Sequence, residues 1–252
     1  MPTASKVEIS EAGRGIGPAP DMIQVWSGDQ DQPSRLVEEF HQTLAEEERI
    51  RAARFKFEKD RVHYIVARGM LRRLLGAMLR IGPDQVRFRY SEYDKPSLSE
   101  EFDSTGLRFN ISHSGGRVLL AFALGRDLGV DIERIRPDFA TEDIADRFFS
   151  ACEVEALRSL PEEIRAEAFF SCWTRKEAFI KAIGEGLSCP LDKFDVTLLP
   201  DQPARLLATR VAGQPASKWS MRNLDVGKGF KAAIVVEGQG WDLSMRPWEE
   251  CV

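Results

Sequence analysis

The chain has 252 residues, 43% hydrophobic and 30% charged, with a net charge of −5 at pH 7. That length and balance describe a soluble globular protein of one large domain or two small ones, and they exclude a nucleic-acid binder driven by bulk positive charge. No run of ~18 apolar residues offers a membrane span, and the N-terminus has no apolar signal core, so the expected location is cytoplasmic with no membrane partner.

Residues 1–20 are rich in Gly, Pro, Ala and Ser without a period, which predicts a loose tail. Met22–Gly28 reads as an edge strand. Thr43 and Glu46 have capping-box spacing, which predicts a helix to about Phe57. Asp60 can cap a second helix to about Leu79, stopped by Gly82-Pro83 and apolar most of the way round, hence buried. Strands follow over Val86–Tyr90, Leu107–Ser112, Val118–Leu124 and Leu128–Glu133, the last two joined by Gly125-Arg126-Asp127 as a hairpin; Pro137 closes this part. Thr141 can cap a helix, and Ser150 with Glu153 caps another that ends near Leu160-Pro161. A long helix is predicted from about Glu162 to Ile183, with Gly184 and Gly186 as stops. Phe194–Leu199, Arg205–Val211, Lys218–Leu224 and Phe230–Val236 read as an antiparallel meander.

Both halves thus run strand, helices, strands, and the strand at Met22 recurs at Leu128. The expectation is an α+β protein with a tail over 1–20 and two similar subdomains, 21–127 and 128–252, with a cleft between them.

Three histidines, His41, His63 and His113, lie far apart without H-E-x-x-H spacing, which argues against a histidine-rich zinc site. Cys152, Cys172, Cys189 and Cys251 form no C-x-x-C and read as reduced thiols. A metal would therefore be held by carboxylates, which is magnesium-like chemistry.

Four segments carry candidate chemistry. In Gly129-Val130-Asp131-Ile132-Glu133, strand alternation puts Val130 and Ile132 on one face and Asp131 and Glu133 on the other. The two carboxylates form either a solvated face or a cation site. In Trp173-Thr174-Arg175-Lys176-Glu177-Ala178-Phe179-Ile180-Lys181, Glu177 and Lys181 share a helix face. They form either an ordinary i,i+4 pair worth ~0.2–0.5 kcal/mol or a buried pair that needs compensation. In Asn110-Ile111-Ser112-His113-Ser114, Ser112 and His113 end a strand as donors for a phosphate, or His113 is a turn histidine; the absence of G-x-S-x-G speaks against a hydrolase. Arg51 and Arg54 lie on the first helix, and Arg61, Arg68 and Arg72, at spacings of seven and four on the second, form one basic stripe that faces either solvent or an anion.

Together the motifs Asn110–Ser114, Gly129–Glu133 and Trp173–Lys181, in this order and spacing, resemble the 4′-phosphopantetheinyl transferase superfamily, in its large pseudo-duplicated subclass typified by the surfactin-synthetase activator. The resemblance runs from about Arg51 to Leu191. It implies two α/β subdomains, each with an antiparallel sheet packed on helices and related by a pseudo-twofold, and transfer of the 4′-phosphopantetheine arm of coenzyme A to a carrier-protein serine with release of 3′,5′-ADP. It implies Asp131, Glu133 and Glu177 as ligands of Mg²⁺ or Mn²⁺, Glu177 as base and Lys181 as stabiliser of the leaving phosphate. Arg51, Lys95, Ser112 and His113 would bind coenzyme A, with Pro96 beside Lys95, while Arg61 and Arg68 would assist or only brace the helix. It further implies a monomer that docks acidic acyl or peptidyl carrier domains. One departure is Asp94-Lys95-Pro96 where the family has Gly-Lys-Pro. Another magnesium-dependent phosphoryl-transfer or nucleotide-hydrolysing enzyme, and a non-catalytic binder of coenzyme A or carrier, are the alternatives.

Overall fold

The structure, a computed structural model, describes residues 16–136, 141–199 and 202–251. Pro137 and most of the tail expected over 1–20 lie outside them. In chain order the elements are β1 (Met22–Asp29), α1 (Ser34–Thr43), α2 (Glu46–Ala53), α3 (Glu58–Leu79), β2 (Phe88–Tyr90), β3 (Pro96–Leu98), β4 (Leu107–Ser114), β5 (Arg117–Leu124) and β6 (Leu128–Arg134). They continue as α4 (Thr141–Phe148), α5 (Ala151–Arg158), α6 (Glu162–Ile183), β7 (Phe194–Val196), β8 (Leu206–Thr209), β9 (Trp219–Asn223), β10 (Phe230–Glu237) and β11 (Asp242–Pro247).

Two sheets form the centre. One runs β11-β1-β5-β4 and the other β6-β10-β9, and each half adds a two-stranded ribbon, β2-β3 or β7-β8. Strand order β1-β5-β4 in the first half matches β6-β10-β9 in the second, and each half has one 22-residue helix, α3 or α6. The halves therefore share a topology.

Side-chain alternation explains how they stack. Val118, Leu120 and Phe122 of β5 join Trp26 and the apolar face of α3 in one core. Leu119, Ala121 and Ala123 point the other way and meet Val130, Ile132, Ala232, Ile234 and Val236 of the second sheet. Ala233 and Val235 then pack against α6 in a third core. The order is helix, sheet, sheet, helix. β5 and β10 are buried on both faces, which is why they read as unbroken apolar runs.

Local signals account for several elements. Ser150 accepts from the Glu153 N–H and Glu153 accepts from the Ser150 N–H, so that capping box forms as read. Gly184, at φ 81°, ends α6. Gly115 and Gly116, both at positive φ, make the tight turn from β4 to β5, as a two-residue hairpin of this twist requires.

The structure corrects other expectations. Thr43 ends α1, a helix not anticipated, and α2 starts at Glu46 with Glu48 accepting from the Ala45 N–H. β5 and β6 do not form a hairpin, because β5 pairs with β1 and β4 while β6 pairs with β10. Each strand needs apolar neighbours on both faces, which a lone hairpin cannot give. The second-half strands are not one meander, since β7 and β8 stand apart from β9 and β10. The last strand, β11, pairs in parallel with β1 of the first sheet, so sheet membership does not follow a cut at residue 128.

Candidate active site

β4 is the edge of one sheet and β6 the edge of the other, and they lie side by side. No backbone ladder joins them. Instead, the small polar side chains of β4 reach across. Asn110 Oδ1 accepts from the Val130 N–H at 2.9 Å, Ser112 Oγ from the Ile132 N–H at 3.3 Å, and Ser114 Oγ from the Arg134 N–H at 3.2 Å. Alternate β4 residues thus meet alternate β6 residues in parallel, and the buried N–H groups of that edge are satisfied. The same hydroxyls donate onward: Ser112 to Asp131 Oδ1 at 2.9 Å and Ser114 to Glu133 Oε2 at 2.7 Å.

The alternation expected for β6 holds. Val130 and Ile132 enter the core between the sheets, and Asp131 and Glu133 are on the opposite face, where α6 packs on β6. A Cβ on Gly129 would lie 2.1 Å from the Ala178 carbonyl oxygen and 2.4 Å from the Ala182 nitrogen. Only glycine permits α6 this approach.

From α6, Lys181 Nζ donates to Asp131 Oδ1 at 2.6 Å and Ser112 Oγ at 3.0 Å. Lys181 is therefore paired with Asp131, and the simple i,i+4 pair with Glu177 is not formed. Glu177 Oε1 and Asp131 Oδ2 are buried without a hydrogen-bond partner. Burial, with repulsion from Asp131, pushes the Glu177 carboxyl up to about 7. Burial also raises Asp131, against the pull of Lys181, and Glu133, against that of Ser114.

Two orphaned oxygens and three carboxylates held above their ordinary range are a donor set that wants a hard cation. Among the described residues no three His, Cys, Asp or Glu side chains close into a ready cage. Magnesium needs none, because it keeps waters and substrate phosphate oxygens beside one or two carboxylates. The residues fit such an ion.

The other charged residues of the α6 motif turn away. Lys176 is fully buried, donates to the Leu191 and Phe194 carbonyls and pairs with Glu153 at 2.7 Å. Arg175 holds the carbonyls of Thr197, Leu199 and Gln202.

The anion-binding candidates separate. His113 is exposed on β4 between Ser112 and Ser114, and crowding by protein, with the Lys181 charge, lowers its pKa. Ser112 is buried and fully engaged within the cluster. Lys95 donates to the Ala182 carbonyl at 3.1 Å and the Leu128 carbonyl at 3.4 Å, tying the β2–β3 ribbon to the end of α6. Burial lowers its pKa. Pro96 begins β3 opposite Tyr90. Lys95 and Pro96 line a cavity of about 290 Å³ between the halves, with Phe109, Leu128 and Gly184. Arg51 is exposed at the end of α2, over the Tyr64 ring at 5.7 Å, with no ion pair among the described residues. Arg68 and Arg72 of the α3 stripe do face an anion, but an internal one, Glu48, while Arg61 pairs with Glu58 at the surface. Arg68 and Arg72 brace the helix.

The family model described as 4′-phosphopantetheinyl transferase, N-terminal, matches residues 26–124, and that of the 4′-phosphopantetheinyl transferase superfamily matches residues 127–235. The 4′-phosphopantetheinyl transferase HetI of Nostoc sp. (strain PCC 7120) is 39% identical over 88% of this chain and 90% of its own length. The chain belongs to the 4′-phosphopantetheinyl transferase superfamily. It is a transferase of the Sfp-like subclass: 4′-phosphopantetheinyl transferase Sfp of Bacillus subtilis (strain 168) is 30% identical over 84% of this chain and 92% of its own length. A putative 4′-phosphopantetheinyl transferase of Synechocystis sp. (strain PCC 6803) is 34% identical over 71% of the chain and 70% of its own length.

The motif reading therefore found the residues that meet at the junction, but not how they are held there. Asn110, Ser114, Gly129 and Glu48 had no assigned role. The signal for the first two was present, as small polar residues at alternate positions in an otherwise apolar strand.

Proposed function

We propose that this transferase moves the 4′-phosphopantetheine arm of coenzyme A onto a serine hydroxyl of an apo carrier protein and releases 3′,5′-ADP. The observation that carries the reading is the junction of β4, β6 and α6. There Asp131, Glu133, Glu177 and Lys181 converge, with two buried carboxylate oxygens left without a donor. A site that only bound its ligand would have no need of three carboxylates and a fixed ammonium gathered at one junction.

The serine oxygen forms a bond to the pyrophosphate phosphorus that carries the pantetheine, and the bond from that phosphorus to the ADP oxygen breaks. Positioning and charge neutralisation dominate such a transfer. Glu177 takes the serine proton, directly or through one water, a step that needs a carboxylate positioned within hydrogen-bond reach of the hydroxyl. Lys181, held by Asp131 and Ser112, offers its positive charge to the departing phosphate. Asp131, Glu133 and Glu177 would hold Mg²⁺, or Mn²⁺ in its place, which when bound neutralises phosphate charge and polarises the phosphoryl oxygens.

Arg51 and His113 are the residues free to grip the 3′-phosphate of coenzyme A. Ser112 acts at one remove, through Asp131. Lys95 and Pro96 act by shaping the cavity wall, since the Lys95 ammonium is committed to carbonyls. Both halves of one chain build the junction, so the working form is a monomer, and the carrier is an acidic domain. No helix among the described residues is long and apolar enough to cross a membrane.

Incubation with coenzyme A, Mg²⁺ and a panel of apo carriers should give each accepted carrier the mass of one phosphopantetheine. Glu177→Ala should abolish that gain in a folded protein. Full transfer by this variant would remove Glu177 from the mechanism, and coenzyme A binding without transfer to any carrier would overturn the reaction.

A further inference from the structure

Glu48 is the most heavily committed carboxylate outside the site. It is 2% exposed. Its Oε1 accepts from Arg68 Nε at 2.7 Å, and its Oε2 from Arg72 Nε at 2.5 Å and the Ala45 N–H at 2.9 Å. One negative charge thus serves two buried guanidinium groups and caps the helix that carries it. The guanidinium groups spread the connection further. Arg68 donates to the Tyr90 hydroxyl at 3.2 Å, and Arg72 donates to the Pro83 and Val86 carbonyls, both at 3.0 Å. Both lie over the Phe88 ring, at 4.5 and 5.2 Å.

Two structures hang on this carboxylate, and neither is stable alone. α2 has eight residues, too few to persist in water, and the β2–β3 ribbon has three residues per strand. α2 carries Arg51 one turn beyond Glu48. Arg51 lies over Tyr64, one turn before Arg68 on α3, so Glu48–Arg68 and Arg51–Tyr64 are neighbouring rungs between the same helices. The ribbon ends in the turn that delivers Lys95 and Pro96 to the cavity between the halves.

The geometry points to Glu48 as a positioning residue for the coenzyme A face of the site: it touches no substrate, and through Arg68 and Arg72 it fixes both Arg51 and the Lys95–Pro96 turn. This rests on the reading that Arg51 grips the 3′-phosphate. The carboxylate sets the depth and rotation of α2, and a guanidinium displaced by an ångström loses its grip on a phosphate.

The test uses steady-state transfer with coenzyme A and with dephospho-coenzyme A. Glu48→Gln leaves two buried cations without a counter-charge and tests the fold as much as the function. Its companion is Glu48→Met with Arg68→Met and Arg72→Met, which removes the carboxylate with both of its guanidinium partners and leaves no uncompensated charge in the interior. In the folded triple variant the KM for coenzyme A should rise about tenfold, the worth of one charge-assisted contact, while kcat falls less than twofold. The KM for dephospho-coenzyme A should move little, and Arg51→Ala should add almost nothing in this background. An unchanged KM for coenzyme A, an equal rise for both substrates, or full additivity with Arg51→Ala would each overturn the proposal. A parent enzyme that does not distinguish the two substrates refutes the 3′-phosphate reading itself, a separate result from loss of coupling in a discriminating enzyme.

Discussion

Ser112 Oγ donates to Asp131 Oδ1 at 2.9 Å while accepting from the Ile132 N–H at 3.3 Å. One hydroxyl therefore closes the seam between two sheets and aims a carboxylate. Ser112→Ala leaves the Ile132 N–H buried without an acceptor, which costs about 1–3 kcal/mol. Denaturant unfolding should show that loss, and Mn²⁺ titration of the folded variant should show weaker binding. Unchanged Mn²⁺ affinity would mean that Lys181 alone orients Asp131.

Gly129 lets α6 rest against β6. In Gly129→Ala the new methyl meets the Ala178 carbonyl oxygen at 2.1 Å, and backbone on both sides must move. Overpacking of this kind costs typically about 1–3 kcal/mol and more where backbone is the obstacle. The melting temperature should fall, and transfer activity should fall with it, because Glu177 and Lys181 ride on the displaced helix. A variant with parent stability would show that α6 shifts freely.

Glu177 makes metal-free stability depend on pH. Its carboxyl keeps its proton to about 7 when folded, against an ordinary value of 4.5. Between these values the folded state binds more protons than the unfolded, so this group's contribution to stability declines as pH rises. Glu177→Gln should match the parent near pH 4 and exceed it at pH 8 in thermal melts without metal. Added Mg²⁺ should narrow the gap by stabilising the parent. A gap independent of pH would argue against a buried, repelled carboxyl.

Lys176 neighbours Glu177 in sequence and does different work. Lys176→Met leaves Glu153 buried with its charge uncompensated, a loss of about 3–5 kcal/mol. Chemical denaturation should report it. If the variant kept parent stability, Glu153 would have to be neutral or hydrated.

Asp94 stands at φ 58°, in the left-handed region. Asp94→Gly should relieve about 1 kcal/mol of backbone strain and raise the melting temperature. A lower melting temperature would show that the Asp94 side chain stabilises this turn more than its backbone strains it.

Much of this protein was legible in its sequence wherever local rules govern. The Ser150–Glu153 box, the bounds of α6 and the split of Val130 and Ile132 from Asp131 and Glu133 depend on caps and periodicity, which act within a few residues. The motifs also named the residues that converge. Their partners were not legible. Glu48 lies 20 and 24 residues from the arginines it binds, and Lys95 lies 87 from the carbonyl it caps. A basic stripe looks the same in sequence whether its anion is a ligand or an internal glutamate.

By itself, then, the sequence determined which side chains share a face of a strand or a helix, and so which carboxylates could act together. Only the tertiary structure decided that β4 and β6 meet edge to edge through side-chain hydroxyls, that Lys181 joins Asp131 rather than Glu177, and that β11 returns to the first sheet. The physical reason is range. Periodicity and capping are set by neighbouring residues, whereas burial, desolvation and pairing are set by which distant surfaces exclude water from one another.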